Sequence, residues 1–290
     1  MSRDYGISDP TGRLRRVLVL PPDDAFAVAD PSVWHYGARP DARRAAAEHR
    51  LLVEILMESG AEVVIHDDPL PDLADSVFVF DPVFMTPVGA VLLRMGKSLR
   101  RGEEAPLGDR LEQAGVPIVG RLRGPGTVEG GDLLRLDATT VVAGLGFRTD
   151  RAGCDELTRI LADLGCQLHP FDLPYLGGPS ACLHLRSLVS LLAPDLAVAH
   201  RALLPVRLWR LLEERYEVVD VPPEELASMG PNVLALAPRR CLVLEGSPRT
   251  RDRLRRAGCE VLSYRGDEIS HKAEGGPTCL TLPLWREASA

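Results

Sequence analysis

The 290-residue chain has no surplus of basic residues: 34 Lys and Arg stand against 41 Asp and Glu, a net charge of −7. Without a basic stripe or patch, no nucleic-acid partner is expected. No apolar run approaches the ~20 residues needed to span a bilayer, so no membrane partner is expected either. The opening stretch MSRDYGISDPTGRLRRVLVLPPDD lacks a long apolar segment and a small-residue cleavage site, and reads as no signal peptide. The six cysteines, Cys154, Cys166, Cys182, Cys241, Cys259 and Cys279, include no C-x-x-C pair. That argues against a zinc ribbon or a thioredoxin-type motif. Their scatter fits reduced thiols in a cytoplasmic protein, most of them small core residues. No Gly-rich loop leads from a first strand into a helix, and no spacing resembles a metal site. Neither a cofactor nor a metal is expected.

What is present is a repeat. An amphipathic helix, a glycine and a short β-branched strand recur in EHRLLVEILMESGAEVVIH, DRLEQAGVPIVG, DELTRILADLGCQLHPF and RTRDRLRRAGCEVLSY, and VRLWRLLEERYEVVDV has the same shape without the glycine. These five copies, at a period of roughly 50 residues, predict repeated supersecondary units. Each glycine suits the left-handed position that closes a helix. Short strands bounded by turn residues lie between the helices, among them RRVLVLPP, DSVFVFDP, AVLLRMG, TTVVAGLG and NVLALAP. Each unit therefore reads as strand, strand, helix, strand. Five such units predict an α/β ring formed by residues 1–290 as a single domain. An open doubly wound sheet is the competing architecture, but paired strands break its one-strand-one-helix rhythm.

Four segments carry candidate chemistry. In DSVFVFDP, Asp75 and Asp81 sit at the two ends of a predicted strand, six apart and so on one face; turn-forming acids are the plain alternative. In PGTVEGGDLLRL, Glu129 and Asp132 flank two glycines, which permit close approach to a ligand or make a tight turn. In SACLHLRSLVSLL, His184 alternates with leucines in a predicted strand, as a structural histidine or a proton shuttle. In GGPTCLTLPL, Cys279 is a core filler or a nucleophile. All four fall near strand ends, which a ring would gather.

These stretches, together with RMGKSLRRGE, GFRTD and GSPRTRDRLRRAGCEV, appear in the order of a known family. The sequence resembles the guanidino-group-modifying enzymes, the pentein superfamily of dimethylarginine dimethylaminohydrolases, arginine deiminases and amidinotransferases, and most of all the first of these. The likeness runs from about Asp75 to Leu284. It implies a five-bladed ββαβ propeller around a central site. By resemblance, Cys279 is the nucleophile, His184 the acid and base, and Glu129 and Asp81 the carboxylates. Arg94 and Arg148 match arginines that hold a substrate carboxylate, Asp75 and Phe78 line the pocket, and Asp132 is an acid of the Glu129 loop. Two departures bear on the substrate. Phe80 stands where dimethylarginine hydrolases carry an acid, which puts the remote substrate contacts in question. Arg186 stands where arginine deiminases carry an aspartate, which argues against a plain deiminase.

The implied reaction is hydrolysis of the guanidinium C–N bond of arginine or an Nω-methylated arginine, through a covalent thiouronium, to citrulline and an amine. Transfer to an acceptor amine, hydrolysis of another guanidine such as hydroxyarginine, and a non-catalytic ring-shaped binding protein remain alternatives. The implied partner is a small guanidino compound, and a homodimer is one open assembly. Arg100 to Glu104 reads as a solvated charge run or a mobile loop, and Trp34, His35 and Tyr36 as a pocket cap, core packing or a surface turn.

Overall fold

The computed structural model describes residues 4–68, 70–181 and 183–288; Cys182 lies outside them. The described strands form five separate three-stranded sheets rather than one open sheet. Four sheets are continuous in sequence. They are β3 (Val83–Thr86), β4 (Gly89–Leu92) and β5 (Ile118–Arg121); β6 (Leu133–Arg135), β7 (Thr140–Leu145) and β8 (Gln167–Asp172); β9 (Val189–Ala193), β10 (Leu196–Ala199) and β11 (Glu217–Asp220); and β12 (Leu234–Ala237), β13 (Arg240–Leu244) and β14 (Glu260–Tyr264). The remaining sheet joins the two ends of the chain: β15 (Leu282–Glu287) pairs with β1 (Arg13–Val19), which pairs with β2 (Glu62–Ile65).

Every sheet has the same grammar. Its first two strands are antiparallel and its second and third are parallel. A parallel pair needs a crossover, and a helix supplies it each time: α3 (Ala42–Glu58), α4 (Glu104–Gln113), α5 (Arg151–Asp163), α6 (Val206–Glu213) and α7 (Pro248–Arg256). Two short helices, α1 (Asp24–Val28) and α2 (Pro31–Trp34), precede α3. The glycines after α3, α4, α5 and α7 adopt the expected left-handed conformation, with φ of 92°, 79°, 75° and 82° at Gly60, Gly115, Gly165 and Gly258. The fivefold helix-to-strand pattern is thus present, one copy of it closing without glycine at Glu214.

Burial grades across each unit. The first two strands are almost wholly buried (β3, β4, β9, β10 and β12 throughout), whereas β2, β5 and β11 are partly exposed edges. This explains why the former are continuous apolar runs rather than alternating ones. On α3, Leu52 and Leu56 face the core while Leu51 and Met57 face solvent, as helical spacing requires.

Three expectations are corrected. DSVFVFDP is not a strand: Ala74–Val77 form a short 3₁₀ turn and β3 begins only at Val83. Its alternation is misleading because Ala74, Val77 and Phe78 pack into one apolar cluster and Val79 and Phe80 into the next. The Phe78 N–H is satisfied locally by the Asp75 carbonyl at 2.9 Å, and the Phe80 N–H is satisfied by the Cys279 carbonyl at 3.3 Å. His184 is likewise not in a strand; it caps the 3₁₀ turn Leu185–Ser187, ahead of β9. The Arg100–Glu104 stretch is only in part a solvated run: Arg101 and Gly102 are exposed, but Arg100 and Glu103 are only 3% and 1% exposed.

Candidate active site

One position recurs in all five units: the few residues that lead into the first strand. Asp81 precedes β3, Glu129 and Asp132 precede β6, His184 precedes β9, Asn232 precedes β12 and Cys279 precedes β15. Asp75, Phe78, Asp81, His184 and Cys279 line one cavity, together with Arg148. Glu129 stands directly behind it, fully buried.

Each acid is held by specific donors. Asp81 accepts a hydrogen bond from the Gly131 N–H at 3.0 Å and from Arg100 Nη1 at 2.5 Å. Arg100 also reaches the Phe78 carbonyl at 3.0 Å and Glu103 Oε2 at 2.7 Å. The cation that the sequence placed in solvent is therefore the clamp that orients Asp81. Glu129 Oε1 accepts from the Gly96 and Lys97 N–H groups, both at 2.9 Å, while Oε2 lies 2.7 Å from His184 Nε2. Burial opposes the Glu129 charge, but the His184 hydrogen bond and the charges of His184, Arg148 and Arg100 outweigh it and hold the carboxyl at about 2. Asp132 shows the opposite balance. Burial pushes it up to about 6, and its Oδ1 accepts from the Leu185 N–H at 3.0 Å.

Glycine permits this crowding. A Cβ on Gly131 would sit 2.6 Å from the His184 ring and 2.8 Å from Asp81 Oδ1, and one on Gly275 would sit 2.1 Å from the Phe78 ring. The glycines of EGGD and GGPTC therefore let neighbouring side chains approach.

Cys279 lies in a turn before β15, its N–H donating to the Gly276 carbonyl at 3.0 Å. Asn232 Nδ2 is 3.5 Å from its sulfur, and Asn232 Oδ1 accepts from the Thr278 N–H and hydroxyl at 3.1 and 2.9 Å. Sequence reasoning missed Asn232, although it occupies in the β12 unit the lead-in position already singled out in the other four.

The outer wall is also polar. Asp75 accepts from Tyr36 Oη at 2.7 Å and from Lys97 Nζ at 2.6 Å. Trp34 and His35 line the cavity, and Lys97 lies 5.1 Å from the Trp34 ring centroid. One expected site residue, Arg94, and the departure at Phe80 are placed elsewhere. Arg94 is not among the residues lining this cavity; it bridges to Val128 on the way out of β4. Phe80 faces away, its ring 4.9 Å from the Arg186 guanidinium, so it is not a pocket-facing substitute for an acid. Asp81, Glu129 and His184 also offer three ligand-capable atoms within 4.8 Å of one another, but Arg100 and His184 already serve as their cationic and proton-bearing partners.

Residues 36–286 match the family described as N,N dimethylarginine dimethylhydrolase, eukaryotic. The chain belongs to this family. It is 32% identical over 232 residues to the N(G),N(G)-dimethylarginine dimethylaminohydrolase of Streptomyces coelicolor, covering 80% of this chain and 83% of that one. Its backbone matches a dimethylarginine dimethylaminohydrolase of Pseudomonas aeruginosa, a Cys-to-Ser mutant complexed with citrulline, at a TM-score of 0.78, with 24% identity and coverage of 93% and 99%. A second fold neighbour is an amidinotransferase from Microseira wollei in the saxitoxin biosynthetic pathway, at a TM-score of 0.82, with 17% identity and coverage of 99% and 98%. The family sits within the guanidino-group-modifying superfamily. Among the described residues, no helix is long and apolar enough to cross a membrane.

Proposed function

We propose that the protein hydrolyses the guanidinium C–N bond of arginine or an Nω-methylated arginine, giving citrulline and an amine, and that its five sheets are blades of a propeller around the site. One observation carries the reading: a cysteine, a carboxylate and a histidine backed by a buried glutamate meet in one cavity from separate units.

The chemistry follows from the partners of each group. A guanidinium is a planar cation and a poor electrophile, and its N–H fork matches a carboxylate. Asp81, fixed by Arg100 and Gly131, keeps free lone-pair directions and would hold the guanidinium protonated and aligned. Cys279, as thiolate, would add to the central carbon. His184 would protonate the departing amine as the C–N bond breaks, leaving an S-linked thiouronium. It would then take a proton from water, which adds to the same carbon; collapse breaks the C–S bond and releases the ureido product and the thiolate. Glu129 would orient the imidazole and stabilise its cationic form, as a buried acid beside a catalytic histidine does. Arg148 would hold the substrate's carboxylate. The scattered thiols fit a cytoplasmic setting.

The cavity holds about 20 Å³, room for about one or two waters. Entry of an amino-acid substrate therefore needs a wall to move, and Trp34, His35 and Glu274 form the outer one. A second reading is favoured by the Asp75 contacts. Lys97 and Tyr36 already occupy both its oxygens, so a guanidino acid without an α-amino group would leave that pair intact.

Incubation with arginine, monomethylarginine, asymmetric dimethylarginine and 4-guanidinobutyrate, scored by mass for the ureido product, tests both. Citrulline is expected from an arginine, and a 4-guanidinobutyrate product alone would select the second reading. No ureido product from any substrate removes the hydrolase assignment, and full turnover by Cys279→Ser removes Cys279 as the nucleophile.

A further inference from the structure

A second cavity, of about 60 Å³, lies behind the first. Phe80 and Thr278, the sequence neighbours of Asp81 and Cys279, line it together with Arg135, Arg186 and Arg286. No carboxylate is among its described lining residues. Arg135 and Arg286 are 4% and 6% exposed. Burial pushes Arg186 and Arg286 down to about 10, which still leaves both protonated at neutral pH. Three cations are thus gathered around one small space. Cys279 and then Asp81 attract Arg186, and Asp9 attracts Arg286, but none of the three lines the cavity.

The three guanidinium groups are unevenly satisfied. Arg286 donates to the Gly12 and Ala235 carbonyls, both at 2.8 Å. Arg135 gives Nη1 to the Asp137 and Ala138 carbonyls at 3.2 and 3.0 Å. Its Nε and Nη2, and Nε of Arg186, are buried with no acceptor among the described residues. Buried donors without acceptors are costly. The Phe84 and Phe80 rings lie 5.2 and 4.9 Å from the Arg135 and Arg186 guanidinium carbons. They cover faces and leave edges open. Nε and Nη2 of one guanidinium form the edge that grips an oxyanion through two parallel hydrogen bonds.

We propose that this rear cavity binds a small oxyanion of the phosphate, sulfate or carboxylate class on the open edge of Arg135, with Arg186 and Arg286 supplying the balancing charge. This does not rest on the hydrolase reading, and its test uses no turnover. Isothermal titration of the full chain with inorganic phosphate, sulfate and acetate, each in zwitterionic buffer at constant ionic strength, should give saturable one-to-one binding for at least one anion. Arg135→Met should weaken it about tenfold or more, the loss of a charge-assisted pair, with circular dichroism confirming the fold. Pro10→Glu, at the half-buried cavity rim, places a carboxylate there without touching the buried arginines and should also weaken it. No saturable binding of any of the three anions overturns the proposal. So does wild-type affinity in a folded Arg135→Met chain or in Pro10→Glu.

Discussion

The two cavities are lined by neighbouring residues of the same segments and handle charge in opposite ways. In front, cations meet carboxylates: Lys97 with Asp75, Arg100 with Asp81 and Glu103, and Arg148 and His184 with Glu129. Behind, three arginines line one space with no acid among its lining residues. Adjacent residues of the same lead-in face opposite sides, Asp81 forward and Phe80 backward, Cys279 forward and Thr278 backward. A segment of two residues can therefore serve two environments, and a substitution has to be read by the side it faces.

The largest predicted effect lies in front. His184→Ala should lower kcat by about 10²–10⁴-fold, the usual worth of a positioned acid-base group, with the circular dichroism spectrum unchanged. A folded variant with wild-type kcat would break the division of labour between the cavities. Asn232→Ala comes next. It removes both bonds that hold Thr278 and should cost about 1–3 kcal/mol of stability, with a lower kcat as Cys279 loses its anchor. Denaturant midpoints and steady-state kinetics would check this, and unchanged values in both would leave Asn232 without a positioning role.

Asp132, buried in the same lead-in as Glu129, provides a pH test. Its folded value of about 6 lies above its ordinary 3.8 because burial opposes the charge. Between those limits the native state holds a proton that the unfolded chain has released. The Asp132 contribution is therefore fully present below 3.8 and is lost as pH rises through about 6. Glu129 has the opposite sign: its stabilisation is present above 4.5 and is lost as pH falls towards about 2. Asp132→Asn should thus flatten the fall in stability across the upper window in urea melts. A variant with the wild-type slope would show that Asp132 does not set it. The smallest effect is expected for Phe80→Leu, which should leave KM for the substrate unchanged because the ring faces the rear cavity. A large rise in KM would join the two cavities functionally.

Much of the frame was legible because helix periodicity and helix-closing glycines are local signals. The five helix-to-strand copies could be counted without tertiary information, as could the acids and the cysteine near strand ends. The errors came where packing on several sides overrides a local pattern. Val77, Phe78, Val79 and Phe80 alternate like a strand, yet they divide between two apolar clusters. Arg100 and Glu103 look solvated in RRGEE, but their burial depends on an aspartate 19 residues away from Arg100. Asn232 has no chemical signature of its own; only the repeat position marks it.

The pairing of β15 with β1 brings residues as far apart as Arg13 and Glu287 into register. During synthesis, β1 and β2 must therefore wait for a partner while the four continuous units emerge one after another. The first sheet is completed by the same segment that delivers Cys279. Closing so long a loop carries an entropic cost that local contacts cannot offset in advance, so assembly of the proposed nucleophile and completion of that sheet become one late event. A nascent chain that stops before Cys279 would contain four of the five lead-ins and lack the proposed nucleophile.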